Sequence, residues 1–67
     1  MTNGKIKMIM FDTERSGIVY INPEHIVELM TDYAAKVDST IIFMVTGRNE
    51  TVIGPMDTIA QNLREGI

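Results

Sequence analysis

The chain has no cysteine and no tryptophan, and only one histidine and two prolines among its 67 residues. Without cysteine there is no disulfide to hold a small fold together and no thiolate to hold zinc. A serine- or cysteine-based catalytic triad would rest on the single imidazole of His25, and Ser16 has no base beside it in the sequence. Long apolar runs are missing too. No window approaches the roughly 20 apolar residues of a membrane helix. The run Ile6–Phe11 is broken by Lys7 and is too short for a signal-peptide core. Basic residues are few: six lysines and arginines stand against nine acidic residues, for a net charge of −3. Only Lys5 and Lys7 sit together, so the clustered basic face of a nucleic-acid binder is not there. These absences favour a soluble cytoplasmic protein. They point away from nucleic acid, membrane insertion, metal, cofactor and enzymatic activity.

Apolar residues, by contrast, are plentiful, at 45% of the chain, and six of them are methionines. That excludes a disordered segment. A chain of this length builds one small domain, which buries only about 60% of its unfolded surface. The strand-like segments nevertheless carry apolar side chains on both faces. Successive side chains of a strand alternate sides. Ile41, Phe43 and Val45 therefore point one way, and Ile42 and Met44 the other. A short chain cannot cover both faces, so self-association into a homodimer or higher oligomer is expected. The residues assigned to that interface are Ile9, Phe11, Ile42 and Met44.

Residues 5–11 read as a first strand, and Asp12–Gly17 as a turn rich in residues that tolerate bends. Residues 18–21 form a short apolar strand. Asn22-Pro23 suits a helix start. Two readings follow. One is a single turn at 23–25 and a strand at 26–32, with Val27, Leu29 and Thr31 on one side. The other is a helix over 23–35, supported by Ile26, Met30, Tyr33 and Val37 at helical spacing. A long connection runs from Asp32 to Ser39. Residues 40–45 and 51–53 are strands around a loop in which Gly47 and Asn49 tolerate left-handed backbone. Met56, Ile59, Ala60 and Leu63 then mark a helix over 55–65, with Asp57 in its first turn, Arg64 in its last and Gly66 as its stop. The expected fold is α+β and mainly β. It is an antiparallel sheet of four or five strands over 5–53, an open-barrel-like meander, with one C-terminal helix. The whole is a single domain over 1–67, frayed at 1–4.

The run Gly17-Ile18-Val19-Tyr20-Ile21-Asn22-Pro23-Glu24-His25-Ile26 resembles the core of the small flagellar and swarming-motility proteins of the FlbD or SwrD type. So do Ser39-Thr40-Ile41-Ile42-Phe43, the later Gly47 and Val52-Ile53, and a terminal helix with Ile59 and Leu63. Similar short proteins occur in bacteriophage genomes. The resemblance covers most of residues 17–65. It implies a small β-meander with a C-terminal helix, and it supplies no catalytic residue. The chain departs from it in the long Asp32–Ser39 connection and in the Asp12–Gly17 turn.

Arg15 and Arg48 stand at the tips of the two hairpins. If the hairpins point the same way, these guanidinium groups could ring a pocket for a small anion together with Thr46, Asn49 and His25. The sequence thus suggests a non-enzymatic, homo-oligomeric interaction module that binds a partner protein. The alternative is a phage-encoded inhibitor of a host defence system, which blocks a host protein or sequesters a nucleotide-like ligand between subunits.

Overall fold

A computed structural model of the chain describes residues 8–65. The stretch 1–4, the expected strand start from Lys5 and the helix stop at Gly66 lie outside these residues. Two hairpins frame the fold. Strands β1 (Ile9–Thr13) and β2 (Gly17–Ile21) join through Glu14–Ser16. Gly17, at φ +75°, turns the chain into β2, a backbone conformation that costs glycine little. Thr13 ties the turn from within: its Oγ1 donates to the Gly17 carbonyl and accepts from the Ser16 N–H at 2.9 Å. Strands β4 (Ser39–Met44) and β5 (Asn49–Ile53) join through Val45–Arg48. Asn49 lies within β5, and no residue other than glycine has positive φ among the described residues.

Between the hairpins, Pro23–His25 form one 3₁₀ turn, and β3 (Ile26–Thr31) follows. The Asn22 side chain caps that turn, accepting the Glu24 N–H at 2.9 Å. A helix over 23–35 is thereby excluded. The apolar residues at helical spacing do not share a face: Ile26 packs on the core, Met30 lies on the outer side of β3, and Tyr33 and Val37 are exposed in the connection after it. The pairing register shifts between Ile26, opposite Met44, and Glu28, opposite Phe43, so Val27 is an extra residue in β3. The bulge lets Ile26 and Leu29, three residues apart, both face the core. Val27 does not share the side of Leu29 and Thr31, and is 64% exposed.

The strand order is β2-β1-β5-β4-β3. The five strands form one open antiparallel sheet in which β1 and β5 join the two hairpins. That joint is slight: Thr13 opposite Val52 is the one paired position between β1 and β5. Helix α1 (Met56–Glu65) packs on β3 and β4. Its stripe presses Ile59 into a core of Phe11, Ile21, Ile42 and Val52, with Leu63 packed alongside. Each such side chain contributes roughly 1.5–3 kcal/mol on burial.

The approach to α1 is held by polar groups at the start of β4. Gly54 N–H donates to the Asp38 carbonyl at 2.7 Å, and the buried Thr40 Oγ1 donates to the Gly54 carbonyl at 2.9 Å. Gly54 has φ +132°, and a Cβ there would stand 3.2 Å from Ile59 Cδ1. A larger residue is therefore opposed both by the backbone and by the core.

Candidate functional site

Residues directly opposite in paired strands share a side of the sheet. The register therefore divides the molecule. The core side carries Ile9, Phe11, Val19, Ile21, Ile26, Leu29, Ile42, Met44 and Val52. All four residues expected at an interface belong here. Phe11 is 4% exposed and Ile42 0%, while Ile9 and Met44 are half-buried against them. Alternation within each strand paired Ile9 with Phe11 and Ile42 with Met44, and the register puts both pairs on one side. Phe11 and Ile42 are interior residues of the single chain, and Ile9 and Met44 pack against that core, so this side is the core face and not the exposed one.

The surplus lies on the outer side, in two clusters. On the first hairpin Met10 stands opposite Tyr20, and Ile18 opposite Asp12. Met10, Ile18 and Tyr20 are 55%, 56% and 63% exposed. On the three-stranded part, Met30 stands opposite Ile41, with Ile53 further along β5 and Phe43 further along β4. Met30 and Ile53 are a little under half exposed, while Ile41 and Phe43 are more deeply covered. The charged members of the outer side are Asp12 and Glu28.

The polar candidates divide as well. β1 and β4 both run antiparallel to β5 and so parallel to each other, with the first turn set back along β5 because Thr13 pairs with Val52. The hairpins do point the same way. A cavity of about 620 Å³ is lined by Thr13–Ser16, Asp32, Ala34–Lys36 and Asn49–Thr51. Arg15 and Asn49 thus meet on one cavity, while Arg48, Thr46 and His25 are not on its wall. His25 instead sits beside the β4–β5 turn, its carbonyl accepting the Val45 N–H at 2.7 Å. The turn itself closes through Met44 N–H to the Arg48 carbonyl and Gly47 N–H to the Met44 carbonyl, each 2.9 Å. These are turn contacts of the backbone, and they leave the Arg48 side chain at the tip.

Sequence reading missed the other half of the cavity wall. Glu14, Asp32, Lys36 and Glu50 join Arg15 there, so three carboxylates face two cations. The long Asp32–Ser39 connection was the available signal. Its Asp32 Oδ1 accepts the Ala34 N–H at 3.0 Å, which folds the segment back on itself. Among the described residues, no three histidine, cysteine, aspartate or glutamate side chains gather closely enough to hold a metal ion, and no helix is long and apolar enough to cross a membrane. No family model, no curated protein and no solved structure matches the chain.

Proposed function

We propose that the protein is a non-catalytic interaction module of the cytoplasm that assembles with copies of itself and presents the assembled surface to a partner protein. One observation carries this reading: five large apolar side chains on the outer side of the sheet are 43–63% exposed while the opposite side is fully furnished with a core. Apolar side chains scattered singly over a surface need no explanation, but cross-strand neighbours such as Met10 and Tyr20 form patches, and patches mark contact sites. The resemblance to small motility proteins agrees with a binding role and brings no catalytic group.

Solution mass tests the proposal. Light scattering from dilute to concentrated protein should show mass rising above the 7.5 kDa of one chain. A folded chain that keeps single-copy mass at every concentration would overturn self-assembly. The alternative, capture of a small anion, has Arg15 and Asn49 on one cavity in its favour. The excess of carboxylates over cations on the same wall weighs against it.

A further inference from the structure

We infer that two copies join edge to edge through β2, with Gly17–Ile21 of one chain paired antiparallel to Gly17–Ile21 of the other about a two-fold axis at Val19. This joint rests on the self-association proposed above and names the strand that carries it.

The two ends of the sheet order are unlike. Among the described residues, β2 and β3 are both edge strands. An edge leaves a row of backbone N–H and C=O groups without a strand partner, and proteins blunt such rows with charge, proline or a bulge. β3 has two of these devices, the bulge at Val27 and the charge of Glu28. β2 has none: Gly17-Ile18-Val19-Tyr20-Ile21 is uncharged, unbulged and free of proline. On a chain with net charge −3, an uncharged edge is where a second copy can approach without repulsion.

The register about Val19 is self-complementary. Ile18 of one copy faces Tyr20 of the other, twice, and each is a β-branched–aromatic cross-strand pair of the favoured kind. Because Ile18 and Tyr20 lie on the outer side and Val19 on the core side, the sheet continues from copy to copy without a change of face. The outer rows then read Met10, Tyr20, Ile18, Asp12 across four strands, and the reverse in the next row. Each Asp12 falls at the far end of its row, about 14 Å in strand spacings from the apolar Met10 of the other copy, so no carboxylate meets another. The joint brings Ile18 and Tyr20 against the other copy and leaves Met10, one strand further in, outside it, so the area buried per copy falls below the ~800 Å² of a standard interface. The pair is therefore weak and concentration-dependent.

The absence of cysteine makes the register directly measurable, since a single introduced thiol reports only itself. Ile18→Cys and Tyr20→Cys both change exposed positions and leave the core untouched. Opposite Cβ atoms stand ~4.5–5.5 Å apart and diagonal neighbours ~7–8 Å, while a disulfide needs ~3.5–4.5 Å. Under mild oxidation, an equal mixture of the two variants should form the mixed disulfide at least about tenfold faster than either variant links to itself. Equal rates in all three samples, with mass above one copy, would overturn the β2 joint and leave self-assembly to another surface. No cross-linking, together with single-copy mass of the unmodified chain at every concentration, would overturn both. Circular dichroism matching the unmodified chain confirms that each variant is folded.

Discussion

Tyr20→Lys separates association from folding. Tyr20 is 63% exposed in the single chain and stands opposite Met10, at the centre of the hairpin cluster. Its ring makes no part of the core, so folding of one chain should change by no more than about 0.5 kcal/mol. Association should respond far more. An aromatic side chain removes about 150–250 Å² from water when buried, and the part still exposed here is roughly 100–160 Å². At ~25 cal/mol per Å², each copy loses about 3 kcal/mol, and a two-fold contact contains the residue twice. The upper limit is therefore about 6 kcal/mol, or about 10⁴ in the dissociation constant. Sedimentation or light scattering measures the association, and thermal unfolding of dilute protein measures the fold. The expected result is single-copy mass with an unchanged melting temperature in the dilute limit. Concentrated Tyr20→Lys protein with the same mass as the unmodified chain would refute the argument. So would a large fall in dilute-limit stability, which would place Tyr20 in the fold after all.

Two further substitutions test the division of the sheet. Ile42→Ala removes a side chain with no exposed surface, and should cost ~2–5 kcal/mol of single-chain stability in denaturant titration. A loss confined to association would return Ile42 to the interface. Gly54→Ala forces a Cβ into φ +132° at 3.2 Å from Ile59 Cδ1, whereas Gly47→Ala, at φ +92°, meets nothing within 4 Å. Both carry backbone strain of about 1–3 kcal/mol, and only Gly54→Ala adds displacement of the buried Ile59. Its melting temperature should fall below that of Gly47→Ala, each 1 kcal/mol being worth about 4–8 °C in a domain of this size. Equal melting temperatures would show that Ile59 yields freely.

Local signals in the sequence decided the elements. Gly17 ends one turn and Gly47 shapes the other, Asn22-Pro23 starts a 3₁₀ turn, and the stripe of Met56, Ile59, Ala60 and Leu63 sets α1. These act over a few residues, through allowed backbone angles and a single helical period, so they can be read without the fold. Alternation likewise put Ile9 and Phe11 together on one side of β1, and Ile42 and Met44 together on one side of β4. Which side is inside was not legible. Both sides are apolar, and only the docking of α1, with the pairing that joins β1 to β5 at Thr13 and Val52, chose between them. The bulge at Val27 is also a tertiary decision, made by pairing with β4, and the helical spacing of Ile26, Met30, Tyr33 and Val37 gave no sign of it. The cavity wall that joins Arg15 to Lys36 and Glu50 brings together distant segments, and no local pattern encodes it. Side-chain alternation is a property of one strand. The choice of interior is a property of what covers the sheet, and that exists only once the chain has folded.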